Sequence, residues 1–356
     1  MKSIEDIFQL DSPYLLTKDQ KKKMLDPYLH DLDNLHYEKC ISYRKIVDAI
    51  PGGRNKQSDL YLPVRLFKNF DLRSISSDQI LKTLTSSGTT SQQVSKIYID
   101  KITAINQTKA LVKIMQHYIG KNRLPMLIID HPNVIKDRTL FSARGAGIRG
   151  LWTFGRNHTY ALDNEMNVDD DAIDAFIEKF KHQKSIIFGF TFMIWKYFIQ
   201  ELEKQGRTID LCNSIVFHSG GWKKLQDDAV DNETFKSKVK QLTEVSHVHN
   251  FYGMVEQVGT IYVECEKGYL HAPIFSDVKI LDPATMKERP HKQSGVIAVE
   301  SILPVSYPGH RLLTEDLGTV MGEDDCECGK KGKYFLIHGR LKKAEIRGCS
   351  DTYAVE

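Results

Sequence analysis

The chain has 356 residues, of which 41% are hydrophobic and 27% are charged, a composition typical of a soluble globular protein with a large core. The net charge is +3 with both signs interspersed, which excludes the charge signature of nucleic-acid or membrane-surface binding. No stretch approaches the roughly 18 apolar residues of a membrane span. The N-terminal residues lack the apolar core of a signal peptide, and we expect a cytoplasmic location.

The first 245 residues are predicted to form an α/β core with an N-terminal helical segment. Apolar residues at helical spacing predict helices at residues 18–35, 102–119, 171–180 and 192–203. Short apolar runs predict buried strands at residues 126–129, 185–188 and 214–217. This alternation favours layered, largely parallel sheets with helices, and function is then expected at the carboxyl ends of the strands.

Strands dominate the pattern from about residue 246 onwards. They are predicted at residues 260–264, 277–281, 295–301 and 334–338. We therefore expect a smaller β-rich subdomain at residues 246–338. A short C-terminal hinge and tail is expected at residues 339–356.

A hydroxyl-rich loop lies between an apolar lead-in and the predicted strand that begins at Lys96. Its hydroxyl residues and its glycine are Thr85, Ser86, Ser87, Gly88, Thr89 and Thr90. Small hydroxyls and backbone N–H groups suit phosphate oxygens, and Lys96 supplies a positive charge. From these residues alone, a phosphate site and an ordinary solvent loop both remain open.

Two further stretches carry candidate binding groups. In His218–Trp222 (HSGGW), which follows a predicted strand, the two glycines leave room for a flat ring against the backbone. A tight strand-to-helix turn is the alternative. Glu256 follows a glycine turn and could hold a divalent cation against phosphate oxygens, with a surface glutamate as the alternative.

Two stretches near the C-terminus add a carboxylate and a guanidinium. Asp316 lies in a sequence (LTEDLG) that we interpret as a turn, where its carboxylate could accept both hydroxyls of a ribose. A plain hairpin turn is the alternative. Arg340 follows a glycine and could pair with a phosphate or ribose oxygen, with a solvated basic turn as the alternative.

Taken in order, these stretches resemble the motifs of the adenylate-forming ligases over roughly residues 80 to 350. The segments HSGGWKK from His218, SYPGH from Ser306 and RGCS from Arg347 resemble most closely the acyl-protein synthetases. Those proteins activate fatty acids for the bacterial fatty-acid reductase that serves bioluminescence. The resemblance implies an ATP- and Mg²⁺-dependent acid–thiol ligase with the fold of the large domain of these ligases. Its substrate would be a carboxylic acid, with a fatty acid expected, and its partner an acyl reductase or another acyl-acceptor protein.

The resemblance also assigns residue roles. Residues Thr85 to Thr90 match the phosphate loop, Glu256 the Mg²⁺-associated glutamate, Asp316 the ribose carboxylate and Arg340 the hinge arginine. The positions that match the adenine site are Ser219, Gly220, Gly221 and Tyr252.

The sequence departs from the family pattern in three places. Ser91 replaces a glycine, and Lys96 lies two residues beyond the usual lysine position. Glu315 replaces the glycine before Asp316. Only 16 residues follow Arg340, so we expect the mobile C-terminal domain to be missing, with Lys96, another cation or a partner replacing its catalytic lysine.

Cys349 matches the cysteine on which acyl-protein synthetases carry their acyl group. Arg347 beside it, with Lys342 and Lys343 close by, favours the nucleophilic thiolate. We therefore predict that Cys349 forms the thioester. An inert cysteine in the tail is the alternative.

Six cysteines in a chain of this length suggest a reduced compartment with metal or catalytic use rather than a disulfide framework. Cys265, His271, Cys326 and Cys328 provide a ligand set for a structural zinc ion, with buried free thiols as the alternative. Separately, four aromatic residues could line an acyl pocket or pack in the core. These are Phe188, Phe190, Phe192 and Trp195.

Two other functions remain open at this point. A compact phenylacetate-type acyl-CoA ligase is favoured by the Cys-x-Cys-Gly stretch that begins at Cys326. A non-catalytic nucleotide-binding module would use the same phosphate and adenine loops.

Overall fold

The computed structural model describes residues 4–86, 94–135, 143–222 and 229–341. Within these ranges ten α-helices are found, and a π-helical turn, Ile194–Ile199, joins α8 to α9. In chain order, α1 to α10 are Ile4–Phe8, Lys18–Lys39, Ile41–Ala49, Leu66–Asn69, Lys101–Ile119, Ala143–Leu151, Asp170–Phe180, Thr191–Met193, Gln200–Lys204 and Asn232–Thr243. No helix in the described ranges is both long enough and apolar enough to cross a membrane.

Fourteen strands are found in the same ranges. In chain order, β1 to β14 are Leu62–Pro63, Lys82–Thr85, Lys96–Ile99, Leu124–Ile128, Gly155–Tyr160, Ser185–Phe190, Ser214–Ser219, His247–Tyr252, Tyr262–Glu264, Leu270–His271, Ser276–Leu281, Ser294–Ser301, Arg311–Glu323 and Lys333–Arg340. The predicted helices and strands all have counterparts here.

The described residues fall into two compact units. Residues 119–135, 143–222 and 229–252 form unit 2, and the remaining described residues form unit 1. In unit 2 the strand order is β8-β7-β6-β4-β5, and every pair is parallel. All six residues of β6 are buried, as expected for a parallel strand that is covered on both faces.

Side chains at the ends of two helices help fix the helical layer of unit 2. Asp169 caps the N-terminus of α7 by accepting a hydrogen bond from the Ala172 N–H at 3.0 Å. Asp231 caps the N-terminus of α10 by accepting a hydrogen bond from the Thr234 N–H at 2.7 Å. Phe176 from α7 and Phe235 from α10 then join the buried cluster of this unit.

Unit 1 groups the N-terminal helices and α5 with the strand-rich C-terminal residues. Its main sheet has the order β11-β12-β13-β14-β10-β9 with antiparallel pairs, and β1 pairs parallel with β13. Buried hydrogen bonds attach α2 to this part: Lys21 Nζ donates to the Ala272 carbonyl at 3.1 Å. The His310 Nε2 atom lies 2.8 Å from Asp33 Oδ1.

The predicted α/β architecture, with a largely parallel sheet and a strand-rich part, is therefore confirmed. One local prediction was wrong. The residues around Asp316 lie inside the long strand β13 rather than in a turn. Long-range pairing with β12 and β14 holds them extended, which the local polar sequence does not reveal.

Candidate active site

The hydroxyl-rich loop is carried on a two-stranded hairpin of unit 1. Strands β2 and β3 are antiparallel, and Thr85 lies opposite Lys96. Ser86 and Ser95 close the stem: the Ser86 N–H donates to the Ser95 carbonyl at 3.2 Å, and the Ser95 N–H donates to Ser86 Oγ at 2.9 Å. Thr85 and Lys96 are exposed there. The predicted phosphate-loop residues Ser87, Gly88, Thr89 and Thr90, with Ser91, lie outside the described residues.

Glu256 lies beside Ser95, at the loop end of the stem of this hairpin. It lies in the short 3₁₀ turn Val255–Gln257 and is only 8% exposed. Burial raises the pKa of its carboxyl group, while the adjacent Ser95 side chain and the charge of Lys68 act in the opposite direction. The alternative of a surface glutamate is therefore excluded by its burial.

The segment Ser306–His310 packs against the turn that carries Glu256. Ser306 Oγ donates to the Tyr98 carbonyl at 2.8 Å, and Gln257 Nε2 donates to the Gly309 carbonyl at 3.1 Å. A Cβ atom at Gly309 would lie 2.7 Å from the Glu256 carbonyl oxygen and in hard contact with the Tyr307 ring. The glycine therefore permits the close approach of these two backbone segments.

Asp316 and Arg340 are direct neighbours on the paired strands β13 and β14. Arg340 Nε lies 3.5 Å from Asp316 Oδ1, with side chains that are 40% and 18% exposed. Glu315 points to the other face of the strand and pairs with Arg65 at 2.6 Å. The structure thus brings the predicted ribose carboxylate and hinge arginine together, and the substitution of Glu315 for glycine is accommodated by an ion pair.

The predicted adenine-site residues lie at the carboxyl ends of parallel strands in unit 2. Ser219 is the last residue of β7 and Tyr252 the last of β8, and Ser219 Oγ donates to the Phe251 carbonyl at 2.8 Å. Gly220 follows with a φ of 82°, a conformation that favours glycine. A Cβ there would lie 3.1 Å from Phe190 Cδ1, and both Gly220 and Gly221 are exposed.

Buried His218 helps to position the loop at Gly220 through a hydrogen bond with Thr191. His218 Nδ1 lies 2.9 Å from Thr191 Oγ1, and that hydroxyl donates to the Ser219 carbonyl at 3.2 Å. Since the single hydroxyl proton is used in that bond, His218 must donate through Nδ1. Burial lowers the pKa of His218 to about 3, so the ring is neutral at physiological pH.

The aromatic residues considered for an acyl pocket fall into two environments. Trp195 packs in the core cluster beside Phe235, with ring centroids 6.0 Å apart. Phe188 and Phe190 alternate with Ile187, which belongs to that cluster, and so they face the other side of β6. Phe188 stacks on Phe251 at 6.4 Å. Phe192 is buried at 6% exposure. The acyl-pocket assignment stays a prediction.

Three cysteines and a histidine of unit 1 converge. Cys265 Sγ lies 4.0 Å from Cys326 Sγ, and Cys328 Sγ lies 3.4 Å from His271 Nε2. All four ligand atoms lie within 4.8 Å of one another. The structure therefore assembles the predicted ligand set. Cys349 and its basic neighbours Lys342, Lys343 and Arg347 lie outside the described residues.

Sequence reasoning missed one buried ion pair that follows β4 in unit 2. Arg144 Nε lies 3.4 Å from Asp130 Oδ2, and both side chains are almost fully buried. Burial raises the pKa of Asp130 to about 6, although the Arg144 charge acts against this rise. An acidic residue directly after a buried strand was the available signal. Ser95 and Gly309 were also missed as neighbours of Glu256.

The chain is similar to known proteins along nearly its whole length. The family model described as "Acyl-protein synthetase, LuxE" matches residues 1–355. A long-chain-fatty-acid–luciferin-component ligase of Vibrio harveyi is 24% identical, over 98% of this chain and 92% of the relative. A ligase of the same name from Aliivibrio fischeri is 23% identical, over 99% and 93%.

Solved structures give the same fold. A crystal structure of 2-hydroxyisobutyryl-CoA ligase in an open conformation, with 2-HIB-AMP and CoA, has a TM-score of 0.68 at 15% identity, covering 95% of this chain and 80% of that one. The same enzyme in its postadenylation state has a TM-score of 0.66 at 15% identity, covering 93% and 71%. These likenesses confirm the predicted fold. The match along nearly the whole sequence shows that this chain is a ligase of the acyl-protein synthetase family, LuxE.

Proposed function

We propose that this ligase activates a fatty acid with ATP and transfers the acyl group to a cysteine thiol. In the first step the carboxylate oxygen attacks the α-phosphorus of ATP, the bond to the β-phosphate oxygen breaks, and acyl-AMP and pyrophosphate form. In the second step a thiolate attacks the acyl carbon, AMP leaves, and a thioester remains. The cytoplasm, as a reduced compartment, keeps such thiols available.

The observation that carries this proposal is the position of Glu256 beside Ser95. Ser95 closes the stem of the predicted phosphate loop, so two stretches far apart in sequence meet within unit 1. The buried carboxyl group fits an Mg²⁺ ligand, because a divalent cation would offset the cost of ionising it. Glu256 would hold Mg²⁺, which supplies positive charge to the phosphate oxygens.

The remaining roles follow the family motifs. Residues 85–90 would donate hydrogen bonds to the phosphates, with Lys96 at the end of the stem as the proposed cation. Asp316 would accept the ribose hydroxyls, and Arg340, its neighbour at 3.5 Å, would orient that carboxylate. The adenine ring would contact Ser219, Gly220, Gly221 and Tyr252.

Exchange of labelled pyrophosphate into ATP tests the first step. Glu256→Gln should lower exchange by about a hundredfold or more, the usual effect of losing one group that stabilises transition-state charge. Glu178→Gln, the same change at an exposed position of α7, should leave exchange unchanged. Near-normal exchange in Glu256→Gln would refute its metal role.

Intact mass measured after incubation with ATP, Mg²⁺ and mixed fatty acids tests the second step. Cys349→Ala should retain exchange and lose the added acyl mass, whereas Cys212→Ala, a change at an exposed cysteine of unit 2, should retain both. Acylation that persists in Cys349→Ala would sink the thioester assignment. Rapid acyl-CoA formation without Cys349 would instead identify an acyl-CoA ligase.

A further inference from the structure

The cysteine–histidine cluster of unit 1 is built by two tight turns and one strand. Cys265 ends the extended run that begins with β9, and Gly268 closes the first turn by donating its N–H to the Cys265 carbonyl at 3.0 Å. The Gly329 N–H closes the second turn by donating to the Cys326 carbonyl at 2.9 Å. Positive φ angles at Gly268 (82°) and Gly329 (81°) allow both turns to fold back sharply.

Strand pairing fixes the fourth ligand. His271 is the last residue of β10 and lies opposite Tyr334 of β14, whose ring stacks on the imidazole at 5.7 Å. Tyr14 contacts the same imidazole edge-on at 5.9 Å. These two rings hold the imidazole so that Nε2 faces Cys328 Sγ.

Two of the ligand–ligand distances are close to those of a tetrahedral zinc site. Zinc bonds of about 2.3 Å to sulfur and 2.0–2.1 Å to nitrogen place neighbouring ligands roughly 3.5–3.8 Å apart at the tetrahedral angle. The observed Sγ–Sγ distance of 4.0 Å and Sγ–Nε2 distance of 3.4 Å lie within a few tenths of an ångström of this spacing. The Sγ–Sγ distance is about twice that of a disulfide bond.

Backbone N–H groups lie close to two of the sulfur atoms. Backbone N–H groups of Lys267 and Tyr269 donate to the Cys265 sulfur, and the Cys328 N–H donates to the Cys326 sulfur. Such donors would help to accommodate the net −1 charge of a zinc ion with three thiolates.

We propose that Cys265, His271, Cys326 and Cys328 bind one structural zinc ion. Binding releases the three thiol protons and leaves no open coordination position, so the ion stabilises the fold and takes no part in acyl transfer. Its site is also where the N-terminal segment is attached: the Lys331 N–H donates to the Tyr14 carbonyl at 3.0 Å. The zinc ion would thus join the two turns to β10, next to the point where this segment is attached.

Metal analysis and X-ray absorption of protein purified without chelators test the proposal. The expected result is one zinc per chain, with three sulfur neighbours at about 2.3 Å and one nitrogen at about 2.0 Å. Folded protein that carries no zinc and takes none up from added zinc chloride would overturn it, as would a shell with fewer than three sulfurs.

Two variants separate this site from adventitious binding. Cys328→Ser should lose zinc, whereas Cys212→Ser, which alters the exposed group Asp210, Cys212 and Glu244, should retain it. If Cys328→Ser fails to fold, the wild-type protein still decides the question. A strong chelator should lower the Tm of the wild-type protein, and cobalt added afterwards should give the absorption of a tetrahedral thiolate complex. An unchanged Tm together with the absorption of octahedral cobalt would overturn the proposal.

Discussion

Gly309→Ala should weaken the support under Glu256 by a steric effect alone. Gly309 does not adopt a positive φ angle, so alanine introduces no backbone strain. The added methyl group meets the Tyr307 ring and lies 2.7 Å from the Glu256 carbonyl oxygen. Tyr307 is fully buried, packs edge-on against Phe67 at 6.1 Å and accepts a hydrogen bond from Gln107 at 3.4 Å. The ring therefore cannot rotate away without breaking other contacts.

Insertion of one methylene into a close-packed core costs about 1–3 kcal/mol, and the immobile ring at this position favours the upper half of that range. For a unit of this size, about 2–3 kcal/mol lowers Tm by roughly 4–12 °C. The Glu256 backbone should move by a few tenths of an ångström. Because transition-state interactions are sensitive to such shifts, we expect pyrophosphate exchange to fall about tenfold.

The assay combines urea denaturation, thermal unfolding and pyrophosphate exchange on the same preparation. Gly150→Ala is the matched control, because a Cβ at that position of α6 meets nothing within 4 Å. That control should keep full exchange and gain up to about 1 kcal/mol from the higher helix propensity of alanine. Wild-type unfolding and exchange in Gly309→Ala would refute the close approach of these two backbone segments.

Two further variants test buried polar groups. Burial pushes the pKa of Asp277 upwards, but Lys333 and Lys21 outweigh this effect and hold it at about 2. The ionised carboxylate therefore stabilises the fold above pH 4, and this stabilisation is lost as the pH falls towards 2. Asp277→Asn should lower the free energy of unfolding by about 3–5 kcal/mol at pH 7 and by progressively less in acid. A difference between variant and wild type in urea denaturation that stays constant from pH 7 to 2 would contradict the assignment. Thr191→Val removes the hydrogen-bond partner of buried His218 and should cost about 1–3 kcal/mol while raising the KM for ATP. An unchanged KM would show that Thr191 does not position the Gly220 loop.

Local sequence patterns were sufficient for much of the fold. Strand β6 is buried along its whole length, so it reads as a continuous apolar run that needs no knowledge of its neighbours. Strand β13 was missed because its polar residues resemble a turn. Its extended shape depends on β12 and β14, and this long-range pairing is not encoded locally.

In the candidate site too, residue types could be predicted locally, whereas contacts between distant residues could not. The residue types indicated which cysteines and which histidine are candidate ligands, but the 3.4 Å approach of Cys328 to His271 depends on the register of β10 against β14. Likewise, the sequence marked Glu256 as a candidate ligand and gave no sign that Ser95 would lie beside it. The sequence did not indicate a role for Gly309, because that role depends on a close contact with the Glu256 backbone that any side chain would obstruct.

The discontinuity of unit 1 has a consequence for how the protein is synthesised. The described residues of unit 2 all lie between residues 119 and 252, so they can leave the ribosome and fold before the C-terminal part of unit 1 is made. Unit 1 must wait, because Lys21 bonds to Ala272 and Asp33 to His310. Its early helices are thus made long before the partners of their polar side chains. Contacts between residues so far apart in sequence also require a larger loop-closure entropy than local contacts, so we expect unit 1 to complete its folding after unit 2.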